Sequence, residues 1–131
     1  MKYSYSLLFI FLIGCNPTSD LKKKLIGSWV IDSISGNQVK SVLDLTVNVM
    51  NFDKNGSCSI PQLRDSAAFS IFAKWDVLIE GKEQYLKIYS ENFLNGKYSL
   101  KMKEDINGEY LKIELESNQK RLACTKQFYG L

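Results

Sequence analysis

The residues with chemistry to offer in this 131-residue chain are three cysteines, Cys15, Cys58 and Cys124, and fourteen carboxylates; histidine is absent altogether. Without histidine the chain lacks the commonest general base near neutral pH and the commonest metal ligand, which excludes serine and cysteine triads of the usual kind. The cysteines are too scattered for a zinc cluster. Asp53-Lys54-Asn55-Gly56 has the opening of a calcium loop, but its glycine comes two positions early and no closing glutamate follows, so it reads as a hairpin turn. Asp44, Asp76 and Glu114 alternate with apolar neighbours and belong to the solvated face of their segments. No catalytic residue, metal or cofactor is expected.

The elements that position these residues begin with the N-terminus. Lys2 precedes Leu7–Ile13, seven unbroken apolar residues that fit the core of a secretory signal and fall well short of the roughly 20 needed to span a bilayer. Leu12-Ile13-Gly14-Cys15 resembles the bacterial lipoprotein box. The resemblance implies cleavage after residue 14 and transfer of diacylglyceryl and palmitoyl groups to Cys15. Two or three acyl chains, at about 0.8 kcal/mol per buried methylene, anchor stably where one does not. The expected organisation is a signal peptide over 1–14, a lipidated Cys15 and tether over 15–24, and one domain over 25–131. Lys22-Lys23-Lys24 either rests on anionic headgroups, at about 1 kcal/mol per residue, or forms a solvated first helical turn. The anchor is expected in the cell membrane or the outer membrane, facing the periplasm or the surface. Asn16 is not the aspartate that resembles an inner-membrane retention signal, which favours the outer membrane.

The formal charge of +3, with fifteen lysines to two arginines, is too mild and dispersed for nucleic acid. The mature length suits one domain.

Period-two alternation recurs along the chain between turn residues, the signature of strands. It covers Ser28–Ile34; Leu43, Leu45, Val47 and Val49; Ser57–Ile60, ended by Pro61; and Phe69, Ile71, Ala73, Trp75 and Val77. It resumes at Tyr85–Ser90; Tyr98, Leu100 and Met102; Leu111, Ile113 and Leu115; and Arg121 to about Phe128. Leu63–Ile71 is equally compatible with a short helix. Eight sequential antiparallel strands predict an all-β up-and-down meander, closed so that the first strand pairs with the last and no edge remains. Such a barrel is just wide enough to be filled by side chains or to hold one small ligand.

Leu25-Ile26-Gly27-Ser28-Trp29 resembles the Gly-x-Trp signature that opens the first strand of lipocalins, with Leu21–Leu25 as the helical lead-in. The Trp75 segment, "FLNGKYSL" and a basic last strand are similar to small lipocalin-like lipoproteins of Bacteroidetes-type bacteria. The resemblance implies that Gly27 and Trp29 close one end of the barrel and that a basic residue of the last strand, Arg121, lies across the indole. It also makes Asp65-Ser66-Ala67 an O-glycosylation acceptor pattern, matched too by Asp32-Ser33-Ile34. An exported compartment permits a Cys58–Cys124 disulfide, although a meander sets those residues on non-neighbouring strands, beyond the about 7 Å that a bridge tolerates.

Two roles follow for a membrane-anchored, non-catalytic barrel. One is binding of a small apolar or amphipathic molecule against an inward set of Val47, Val49, Ile71, Trp75, Leu86, Ile88, Leu100, Met102 and Ile113. The other is a protein-interaction or inhibitor module in which a filled barrel presents its rim loops, 35–42, 61–68 and 91–95, to an envelope partner.

Overall fold

The structure, a computed structural model, describes residues 16–127. The signal segment 1–14, Cys15 and Phe128 lie outside the described residues. The chain forms one short helix and eight antiparallel strands closed into a barrel in sequence order, as the alternation predicts. No helix among the described residues is long and apolar enough to cross a membrane.

Helix α1 spans Pro17–Leu25. The side chain of Asn16 accepts the Thr18 amide at 3.2 Å, proline stands in the first turn, and Lys22, Lys23 and Lys24 sit in the last, where cations suit the helix dipole. Its one apolar face, Leu21 and Leu25, is buried against the barrel. The helix is thus longer than the expected lead-in turn and takes up most of the expected tether.

The strands are β1 (Gly27–Gly36), β2 (Val49–Phe52), β3 (Ser57–Pro61), β4 (Ser70–Glu80), β5 (Glu83–Tyr89), β6 (Gly96–Glu104), β7 (Tyr110–Glu116) and β8 (Lys120–Gln127). Closure runs through β1 and β8, from Val30 opposite Thr125 to Gly36 opposite Lys120, with a bulge between Ile31 and Ser33. The bulge advances the strand by one residue, so Ile34 rather than Ser33 follows Trp29 and Ile31 into the core. One barrel end carries α1 and the β2–β3, β4–β5 and β6–β7 turns. The other carries the connections 37–48, 62–69, 90–95 and 117–119.

One segment departs from expectation. The alternating run from Leu43 to Val49 is not a strand: Val42–Asp44 is a 3-10 turn, and only Val49 belongs to β2. Asp44 Oδ2 accepts the amides of Lys40 at 2.7 Å and Ser41 at 3.3 Å, while Ser41 Oγ accepts the Leu43 amide at 3.2 Å. This reciprocal cap satisfies locally the groups that a ladder would have used. The residues that enter the core from β2 are Met50 and Phe52, of opposite parity to the expected set. The Leu63–Ile71 stretch resolves as a turn followed by the start of β4, without a helix.

Candidate functional site

The barrel interior holds most of the residues expected to line a site. Seven of the nine expected inward residues point there: Trp75, Leu86, Ile88, Leu100 and Ile113 are buried, and Ile71 and Met102 pack half-buried against them. Val47 and Val49 do not. They are 37% and 41% exposed, because β2 begins only at Val49 and turns that residue outward to face Val30. Met50, Phe52, Ile60 and Leu122 join the lining, with Trp29, Ile31, Cys58, Val77, Tyr98, Leu111, Leu115 and Cys124 among the other buried residues. Ile60 and Leu122 lie in strands the alternation already marked, whereas Met50 and Phe52 follow the Leu43–Val49 run one residue out of phase.

These side chains fill the space. A side chain beside a void wide enough for water would keep accessible area, yet Trp29, Met50, Phe52, Cys58, Ile60, Leu86 and Leu111 keep none. No water-sized space therefore adjoins these seven side chains, while Ala73, Trp75, Val77 and Leu100 keep 5–9% of their area. Phe52 meets Trp75 edge-on at 5.2 Å, and Trp75 Nε1 donates to the Asp53 carbonyl at 2.9 Å. Tyr98, its phenol pushed up to about 12 by burial, donates to the Leu94 carbonyl at 2.8 Å. No buried side-chain nitrogen or oxygen among the described residues lacks a partner, so no polar group waits in the core for a ligand to satisfy it.

Both ends are stoppered. At the helix end, Trp29 Nε1 donates to the Leu25 carbonyl at 2.8 Å, tying the indole to α1. Lys126 lies over the ring, its Nζ 5.1 Å from the centroid, and donates to the carbonyls of Ile26, at 2.9 Å, and Lys24. Gly27 holds φ near +124°, and a Cβ there would stand 3.3 Å from the Lys126 stem; both facts favour glycine two residues before the tryptophan. Arg121 is not the residue across the indole. It sits at the other end of β8, 70% exposed, paired with Glu116 at 2.8 Å. Antiparallel closure puts Thr125 opposite Val30, so register brings Lys126 beside Trp29 and carries Arg121 away. At the loop end, Val39, Leu45, Phe93 and Leu94 are buried as a lid.

Cys58 and Cys124 are both buried and free. They stand on β3 and β8, with β1 and β2 between them. Burial first, and a nearby carboxylate second, pushes the Cys58 thiol up to about 11 and the Cys124 thiol up to about 12. Neither is a nucleophile at neutral pH. The carboxylates are dispersed. Asp44 caps its turn, Asp76 pairs with Lys22 at 3.0 Å, and Glu114 faces outward between Lys101 and Ala123. Amides of Lys40 and Ser41 lower Asp44, and the Lys22 hydrogen bond lowers Asp76, the direction opposite to that a general acid needs.

One group of exposed apolar side chains lies at the loop end: Leu43 is 69%, Phe69 74% and Phe72 87% exposed. Tyr89, also exposed, faces Lys74 across β4 and β5, which sets it one diagonal step from Phe72 on the same outer face, within reach of an aromatic side chain. Two of the expected rim loops, 35–42 and 61–68, border this patch. Ser66 is exposed in the second, in a turn closed by its amide to the Leu63 carbonyl at 2.9 Å. A separate groove of about 1240 Å³ lies outside the barrel on β1, β6, β7 and β8, among Val30, Lys101, Lys103 and Lys112.

The architecture is consistent with the lipocalin-like fold, and a β-barrel of this kind is compatible with either ligand binding or a scaffold role. No protein-family model, curated protein or solved structure matches the chain.

Proposed function

We propose that the chain is a bacterial lipoprotein, anchored to the envelope through acylated Cys15, whose filled barrel is a non-catalytic scaffold that presents its loop-end rim to a protein partner. The observation that supports this reading is the tightly packed interior, where Trp29, Met50, Phe52, Cys58, Ile60, Leu86 and Leu111 retain no accessible area and most of the other lining residues little. A core packed this tightly favours work at the outer surface over enclosure of a molecule. On that surface the exposed aromatics Phe69 and Phe72 are the residue type that anchors protein interfaces, and they stand on strands and turns of a closed sheet rather than on a mobile tail. Ser66, in the same connection, is sterically open to O-glycosylation. The signal peptide, the acyl anchor and the kinship with small Bacteroidetes-type lipoproteins rest on the N-terminal motif and on the Gly-x-Trp segment.

Pull-down of the full chain from detergent-solubilised membranes, followed by native mass spectrometry, tests the reading. A stoichiometric protein partner, lost in Phe72→Asp, is the expected result. A lipid or other small molecule retained by the barrel with no protein partner would overturn it.

A further inference from the structure

The two barrel ends expose different groups, and the position of Asn16 decides which of them can face a membrane. Asn16 caps α1, and α1 is held across the closed end. Leu21 and Leu25 are buried, Lys22 pairs with Asp76 of β4 at 3.0 Å, and Lys24 pairs with Glu104 of β6 at 3.4 Å. Cys15 is the preceding residue, and one trans peptide reaches only about 3.8 Å between Cα atoms. An acyl group on Cys15 would therefore tether the chain at this end of the barrel.

The same end carries the β6–β7 turn, whose tip residue Ile106 is 100% exposed. Behind the tip stand Tyr110, partly exposed, and two lysines, Lys103 and Lys112, directly opposite each other across the strands. Like charges so placed repel, and neither lysine forms an ion pair among the described residues. An anion shared between them would relieve the repulsion. An apolar tip, then a tyrosine, then cations repeats the order of a bilayer from acyl chains through interface to phosphates. Asp105 and Glu109 flank the tip, so contact is set by the apolar residue and the anchor and not by net charge.

We infer, on the lipid-anchored reading above, that the helix-capped end rests on the bilayer. Ile106 dips below the headgroups, Lys103 and Lys112 meet lipid phosphates, and the rim of Leu43, Phe69, Phe72 and Tyr89 is displayed on the side away from the membrane. The lipid surface is thus a second contact of the folded domain, and the partner of the rim must come from the space beyond it.

The test uses the acylated full-length protein reconstituted into vesicles of phosphatidylethanolamine and phosphatidylglycerol. An environment-sensitive maleimide is placed at Ile106→Cys or, separately, at Leu43→Cys. Both sites are exposed enough for the substitution to leave the core intact, and the buried thiols of Cys58 and Cys124 stay unlabelled. Flotation reports anchoring, and a quencher carried on the lipid chains reports depth. The expected result is flotation with the label at 106 quenched, as at the roughly 5–10 Å depth of an interfacial apolar residue, and the label at 43 unchanged. Flotation with the label at 43 quenched, or with neither quenched, overturns the orientation while leaving the anchor intact. A chain that neither floats nor carries acyl mass at Cys15 overturns the anchored reading, and the orientation with it.

Discussion

Phe52→Ala tests the filled interior most directly. Phe52 is fully buried on β2, a four-residue strand bonded on both sides to β1 and β3. Deleting a buried phenyl costs about 3–5 kcal/mol, the larger values arising where surroundings cannot collapse into the space. A closed barrel collapses poorly, since moving β2 inward would break its ladders with both neighbours. The edge-on contact with Trp75 adds about 0.5–1.5 kcal/mol beyond area. We therefore expect a loss of about 4 kcal/mol from a domain whose whole stability falls within the usual 5–15 kcal/mol. In urea, with a slope of about 2 kcal/mol per molar, the midpoint drops by about 2 M. Intrinsic fluorescence follows the transition, because Trp75 stands against the deleted ring. The variant should also gain what the parent lacks: a dry apolar cavity that takes up benzene, as cavities of order 150 Å³ do. A loss below about 1.5 kcal/mol, or a parent that binds benzene as well as the variant does, would show that the interior already contains space and would refute the packing argument.

Three further outcomes follow from the same geometry. Lys126→Ala should cost about 1–2 kcal/mol, because the ammonium bridges Trp29 and two carbonyls at the helix end; Arg121→Ala, which removes only an exposed pair, should stay within about 0.5 kcal/mol in thermal melts. Both thiols should resist a disulfide reagent at pH 8 in the folded protein and react in urea, with a free-thiol count of two and no intramolecular bridge under non-reducing mass spectrometry. Stability should fall on alkaline titration: Cys58 releases its proton near 9.0 once unfolded but near 11 in the fold. The unfolded chain therefore binds fewer protons across that window and gains on the native state as pH rises. Cys124 and Tyr98, both pushed up to about 12, extend the decline, and Cys58→Ala should flatten its early part in urea midpoints measured from pH 8 to 11.

Much of this was legible in the one-dimensional pattern, and the exceptions have specific causes. The β7 alternation of Leu111, Ile113 and Leu115 translated directly into burial because the strand pairs on both sides along its whole length. Leu43 to Val49 showed the same alternation and failed. There Ser41 and Asp44 offer the backbone local bonds at about 3 Å, and periodicity is blind to that competition. Arg121 was chosen by residue type, whereas the place over Trp29 is allotted by the β1–β8 register, which a single bulge and a closure between residues nearly a hundred apart determine together.

Composition and order of residues determined that the chain is all-β, that it closes, and that histidine-based chemistry is outside its means, since these follow from side-chain types and from a period of two. Whether the closed sheet encloses a void or a solid core was decided only by tertiary structure. That depends on how side-chain volumes from eight strands meet across one axis. Single residues of shift, such as Met50 and Phe52 turning inward where Val47 and Val49 were expected, move whole rings between the core and the solvent.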